Sequence, residues 1–486
     1  MKLLLPSLSF VLLSVVSPGA EAQRATRRSL GPLLPDQYVV DFVSSAADGF
    51  DMNNAGVVVG RSYLDTGCGS FCLPPEEAVV WRNGARIVLP GLPGLTGATA
   101  TSVNNAGWVA GYAGYYNPVH AVVWRPFGST YQAIDLGVLP GTTISQPAGI
   151  DDQGRVVGWS TDGNAIGGTS APFFWSLSIG LVDLSTLGYP DEQPFAISPG
   201  GTVTTANKWY RLGDPASVVV MAPPPSGFLS GGYGSAINDA GDQARFLVRT
   251  SGQILGYLFR YHHEGSWQQL SASPSGHLSR YGVGSINDAR DVTATVTSRG
   301  VIAYGPNGLA QALDSLLSPA YPPLGNPDST VASVGPMNRR GEILAEVMLG
   351  RSPRLVRLTP SWGCWSGCLR VDDLAISANF VPDPNDPSQD HCAPDLNAYN
   401  EAFVVVRVTG ENGAPQAGVL VAGRFLDDYW TNEPVSATTD ASGVVSFSYT
   451  GLCGVGAIAF LVDSATRGQA SLDKTAGILS VSAVPQ

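Results

Sequence analysis

Arg260, Tyr261, His262, His263 and Glu264 form the densest run of chemistry-bearing side chains in this 486-residue sequence. Two imidazoles beside a guanidinium and a carboxylate could hold a ligand or move a proton. The run interrupts its repetitive surroundings and is expected in an exposed, loop-rich insertion, as a binding site. A second cluster, Asp383, Asn385, Asp386, Asp390 and Asp395, is rich in oxygen donors of the kind that hold Ca²⁺. Pro384 and Pro387 break any regular alternation of ligands, so the expectation is a solvated acidic loop, with Asp383, Asp386 and Asp390 as the calcium candidates. No other metal or cofactor is implied. No G-x-S-x-G, H-E-x-x-H or phosphate-cradling loop occurs, and no catalytic residue is assigned. No set of two or three carboxylates, or of a His with a carboxylate, that would converge on a central channel is evident at matching positions of the repeats described below.

Charge excludes some partners. Lys and Arg total 27 and Asp and Glu 39, a net charge of −12. An acidic chain without a basic run is unsuited to nucleic acid or to an anionic membrane surface. Residues 1–22 read as a secretory signal: Lys2, an apolar stretch from Leu3 to Val16, then Ala20-Glu21-Ala22 as an A-x-A cleavage site. The stretch is too short to span a membrane, and Pro6 interrupts it. The expected location is therefore secreted or periplasmic. An even six cysteines in an exported chain favour disulfides. The spacing suggests Cys68–Cys72, Cys364–Cys368 and Cys392–Cys453, with other pairings open. Zinc is disfavoured because the pairs are not C-x-x-C and His391 is the sole nearby His.

The elements that must position these residues are repeats. Asn53-Asn54-Ala55-Gly56 recurs as 104–107, 151–154 and 238–241, and in degenerate form as 198–201, 287–290 and 338–341. The spacings are 51, 47, 47, 40, 49 and 51 residues. Asn or Asp in first place can bond the backbone two residues on, and Gly in fourth place suits a tight turn. Apolar strands such as Val57-Val58-Val59 follow, and a second slot holds Ala78-Val79-Val80-Trp81 and Ala121-Val122-Val123-Trp124. Four short strands per period match a propeller blade. The expectation is an all-β chain with a seven-bladed β-propeller over 37–358. Gln37–Val43 and Arg354–Leu358 would be halves of one composite blade. Trp81, Trp124, Trp175 and Trp209 repeat at one position and read as wedges between blades rather than sugar platforms. Arg339, Arg340, Arg351, Arg354 and Arg357 could grip an acidic glycan, but read rather as the charged rim of the last blade, guarding its edge.

The stretches His120–Trp124, Leu136–Gly141 and Gly149–Gly158 resemble the HAF family of extracellular repeats. That resemblance implies export and a propeller-like fold, and it carries no catalytic residue. After a linker at 359–368, residues 369–486 hold regularly spaced strands expected to form a β-sandwich. Val408–Val419 and Thr439–Phe447 resemble the bacterial Ig-like domains of invasin-type proteins, which implies a spacer or adhesive module.

Together these features describe an exported, non-catalytic binding or surface-interaction protein. Its partner would be an extracellular polymer, glycan or protein surface. The alternative is a secreted hydrolase or lyase acting on a polymer at the channel mouth, because propellers host both.

Overall fold

A computed structural model describes residues 37–44, 47–63, 76–82, 84–114, 118–163, 169–249, 256–271, 283–296, 299–303, 310–317, 331–349, 352–361, 368–382, 398–427, 432–452, 457–468, 470–473 and 478–485. The signal segment 1–22, five cysteines (Cys68, Cys72, Cys364, Cys392, Cys453) and the calcium candidates Asp383, Asp386 and Asp390 lie outside the described residues. Cys368 is buried at the start of a strand. Among the described residues, no helix is long and apolar enough to cross a membrane.

Seven antiparallel four-stranded sheets form the propeller. Blades 1 to 6 occupy residues 47–88, 98–137, 144–183, 196–220, 228–269 and 283–312. Blade 7 takes three strands from 331–361 and its outermost strand, Gln37–Ser44, from the other end of the propeller segment. Phe42 thus pairs with Val356, so the composite blade is as expected. The strand carrying Arg354 and Arg357 is therefore not an edge. The rim reading is corrected for Arg354 and Arg357, because Gln37–Ser44 covers that strand and Arg354 is buried; Arg339 and Arg340 stay exposed on a turn, and Arg351 lies outside the described residues. That strand, Ser352–Ser361, also runs three residues past the expected boundary at 358.

The first strand of each blade neighbours those of the blades before and after it, through blade 7 and back to blade 1. Seven first strands thus line the axis. Because strands alternate in direction, the turn between the first and second strand and the hairpin between the third and fourth open on the same face. The repeated motif is that first turn, and it marks what is here called the motif face. Each blade is too thin to bury both sides alone, so apolar groups mesh between blades. Val59, Val80 and Ala100, Val122, Trp124 join blades 1 and 2 in one cluster. The slot tryptophans are buried wedges: Trp124 is inaccessible, and its Nε1 donates to the carbonyl of Pro90 (2.7 Å).

The C-terminal segment forms one eight-stranded sheet that folds back on itself. One half holds Cys368–Val381, Tyr399–Gly410 and Val444–Leu452. The other holds Asn432–Thr438, Leu420–Asp427, Ile458–Arg467 and Ser480–Ala483, and short Ala470–Leu472 bridges the halves. Alternation along the strands sends Val404, Val406, Val445, Phe447 and Tyr449 inward, against Phe425 and Phe460. Tyr449 stacks on Phe425 (5.2 Å between centroids), and its hydroxyl donates to buried Asp427 (2.8 Å). Sequence reading missed Asn432–Thr438, whose alternation is weak and whose side chains are largely exposed.

Candidate functional site

The repeated motif has the turn chemistry its residue types imply. The side-chain oxygen of Asn53 accepts from the N–H groups of Ala55 and Val57 (both 3.0 Å). Asn104, Asp151, Asn238 and Asn338 do the same two and four residues on. The motif also does something its sequence does not reveal: four of the seven copies grip the next through the side-chain amide of their first residue. Asn53 Nδ2 donates to the carbonyl of Asn104 (3.0 Å), Asn104 to Asp151 (2.8 Å), Asn238 to Asn287 (3.1 Å) and Asn338 to Asn53 (3.2 Å). The second residues form a parallel series, with Asn54 N on Asn105 Oδ1, Asn105 N on Asp152 Oδ1 and Arg339 N on Asn54 Oδ1. The result is a polar belt on the motif face. Arg339 reaches from the last motif to Asp239 (3.2 Å) and Asp288 (3.4 Å), two and one motifs back.

Around this belt the blades differ. Fourth positions have positive φ, and six of the seven are Gly: 56, 107, 154, 201, 241 and 341. The seventh is Arg290, at φ 68, the one non-Gly residue with positive φ among the described residues. A side chain in that conformation costs about 1–2 kcal/mol. The reason lies in the blade before it. At two junctions the residue after the Gly lies against the fourth position of the next blade: Trp108 beneath Gly154 and Arg155 beneath Gly201. In blade 5 that residue is Asp242, and the fourth position of blade 6 answers with a guanidinium: Arg290 Nε donates to Asp242 Oδ2 at 2.9 Å.

Asp242 is 1% exposed and fully partnered. Its Oδ1 accepts from His263 N (3.0 Å) and His263 Nδ1 (2.8 Å), and its Oδ2 from Asn238 and Arg290. Burial opposes the charge, but the donors of His263, Asn238 and Arg290 hold the carboxyl below its ordinary value. Arg290 Nη2 then reaches outward to Glu264 Oε1 (2.9 Å), and His263 Nε2 lies 3.6 Å from the same oxygen. Glu264 is 56% exposed. Its carboxyl is also lowered, by a backbone hydrogen bond and then by the Arg290 contact.

Blades 6 and 7 repeat the substitution. Asp291 accepts from Asn287 (3.0 Å) as Asp242 does from Asn238 (3.1 Å). Glu342 accepts from Asn338 and Arg340 (both 2.6 Å). Asp242, Asp291 and Glu342 are therefore carboxylates at matching blade positions. They bind their own motif's Asn, and this shared position went unnoticed in the sequence. The sequence signal was present one residue beyond the motif, where blades 1 and 2 carry Val57 and Trp108.

The expected insertion 260–264 is also corrected. Gly256–His262 is the third strand of blade 5, and a tight hairpin follows it. Arg260 and Tyr261 are buried within the blade. Arg260 fixes Gln268 Oε1 (2.7 Å from Nη2), and its Nη1 donates to the carbonyl of Arg290, so it supports the strained turn from below. Tyr261 packs on Trp267 (4.8 Å between centroids). His262 is half-buried, and its Nδ1 is shielded from solvent without a hydrogen-bond partner. Of the five, His263 and Glu264 stand at the hairpin tip. Asp242, His262 and Glu264 offer ligand atoms within 4.8 Å of one another. A metal fits this set poorly, because Arg290 already lies against both carboxylates and Asp242 has no lone pair to spare.

What remains chemically is a guanidinium and an imidazole facing one exposed carboxylate, backed by a buried one. Such a frame can bind an anion. It also fixes His263 with Nδ1 toward Asp242 and Nε2 outward.

No protein-family model and no curated protein matches the chain. Among solved structures, it is similar to an oligogalacturonate lyase from Vibrio parahaemolyticus, at 10% identity and TM-score 0.40, covering 67% of this chain and 92% of that one. It is similar to a prolyl endopeptidase at 12% identity and TM-score 0.38, covering 81% and 60%. It is similar to a gluconolactonase from Xanthomonas campestris at 10% identity and TM-score 0.32, covering 68% and 98%. Likeness at this level carries no argument about activity.

Proposed function

We propose that the chain is an exported, non-catalytic binding protein that presents the motif face of its propeller to an extracellular polymer or surface. The C-terminal sheet would serve as an Ig-like spacer, and the cysteines as disulfide clasps. The observation that carries this reading is Arg290. A turn that six other blades make with Gly is made here with a strained arginine, whose guanidinium reaches past its structural partner to the surface. Strain of this kind collects where side chains do work beyond folding. The test is a glycan and peptide binding screen with the whole chain, repeated with His263→Ala. Binding that the variant weakens supports the reading. A screen with no ligand, or a ligand indifferent to His263, goes against it.

One observation favours the hydrolase or lyase alternative. An imidazole whose Nδ1 faces a buried carboxylate, with Nε2 outward, is the arrangement of a general base. Turnover of a polymer by the wild type, abolished in His263→Ala, would install that reading instead.

A further inference from the structure

We propose that the ligand of the motif face is a protein surface bearing an acidic side chain, and that Glu264 occupies the place of that side chain in the free protein; this rests on the binding reading above. Glu264 contributes nothing to the blade core. It sits 56% exposed at a hairpin tip, yet its Oε1 lies 2.9 Å from Arg290 Nη2 and 3.6 Å from His263 Nε2. The inner half of the same guanidinium is fixed by Asp242, which is 1% exposed. One carboxylate is thus built in, and the other is held by a side chain that solvent can reach. An incoming carboxylate can replace Glu264 without disturbing Asp242, Arg260 or the turn. It gains a charge-assisted bond from Arg290 in a frame already ordered, while Glu264 turns into water.

The choice of a protein rests on the rest of the face. The third-to-fourth-strand hairpins of blades 2 and 3 open on the same side. They expose Phe127 (68%), Leu177 (60%) and Ile179 (55%). Exposed apolar tips together with a charged anchor suit a protein partner. The slot tryptophans, which could have stacked on sugars, are buried. The occupant is therefore a carboxylate on a protein surface broad enough to meet Arg290 at blades 5 and 6 and the apolar tips of blades 2 and 3 on the same face, and not a uronic acid polymer.

The experiment measures binding of labelled poly-L-glutamate and, separately, alginate to the whole chain at physiological salt, where long-range repulsion from the net negative charge is screened. Glu264→Ala should bind poly-L-glutamate about tenfold more tightly than wild type, the scale of one charge-assisted bond released for the ligand. Arg290→Gly in the Glu264→Ala background should abolish that gain. Glycine is the residue of the other six turns, so this variant keeps the backbone conformation, and a single cooperative thermal transition verifies the fold although Asp242 loses one of its four donors. Equal binding by wild type and Glu264→Ala, or a gain that survives Arg290→Gly, overturns the proposal. A gain seen for alginate and not for poly-L-glutamate overturns the choice of a protein. Each of these results leaves the general binding reading standing, which only the ligand screen can sink.

Discussion

Arg290 separates two effects that usually travel together. Arg290→Ala removes the guanidinium and keeps a Cβ at positive φ, whereas Arg290→Gly removes both. Arg290→Gly should therefore be the more stable of the two by about 1 kcal/mol, read as a difference in denaturant midpoint at equal m-value. Asp242 makes a pH prediction. Its carboxyl is held below the ordinary value by hydrogen bonds from His263, Asn238 and Arg290. A depressed folded pKa means stability that is present once pH exceeds the unfolded value, and lost as pH falls through the folded one. The chain should lose stability on acidification below about pH 4, and Asp242→Asn should flatten that part of the profile. Denaturant midpoints from about pH 6 to pH 2.5 would show it. His263 was legible as a candidate because two histidines stand out in a chain with five. Its partners Asp242 and Arg290 were not, because they lie 21 and 27 positions away: Asp242 meets it only once the strands of blade 5 pair, and Arg290 joins them only when blade 6 lies alongside.

The four-residue turn was legible as a turn, because Asn and Asp bond their own backbone wherever they sit. The proof is in the C-terminal sheet, where Asp440 accepts from Ser442 N (2.8 Å) and Val444 N (3.0 Å) in the same way, ahead of Gly443 at φ 76. The belt was invisible for the opposite reason. Its bonds join residues about 50 positions apart, and the closing pair, Asn338 to Asn53, spans 285. Asn338→Ala should therefore cost more than a turn residue does. It leaves the carbonyl of Asn53 and the N–H groups of Arg340 and Glu342 short of a partner, about 2–3 kcal/mol in all. The same change at Asp440, an exposed turn outside any belt, should cost clearly less. Comparing the two by chemical denaturation isolates what the belt adds. The glycines opposite the first-strand irregularities were also read only as strand residues. A Cβ at Gly60, Gly111 or Gly158 would overlap the carbonyl oxygen of Asp48, Thr99 or Gln146, which shows how closely the first two strands approach.

Across the whole molecule, blade count and ring closure followed from repeat spacing and from two unmatched end strands, whereas the cover that Gln37–Ser44 gives to the arginine strand did not. Deleting 37–44 should strip seven paired residues from Ser352–Ser361 and leave blade 7 with an open edge. The expected result is a lowered melting temperature and concentration-dependent aggregation by light scattering, with the rest of the ring still folded. The apolar cluster continues from Val334, Val356 and Leu358 of blade 7 to Leu369, Val404 and Phe460 of the C-terminal sheet. Loosening that blade should reach both parts. The closing strand also sets an order in time. Synthesis makes it first, yet its partner Val356 follows more than 300 residues later, after every other blade has been made. Until then the ring is a growing arc, and a ready-made strand waits for a template that does not yet exist. Contacts so distant along the chain form slowly, and unpaired strands are exposed meanwhile. The slowest phase of refolding should accordingly report the docking of residues 37–44, and a peptide of that sequence added in trans should compete with it.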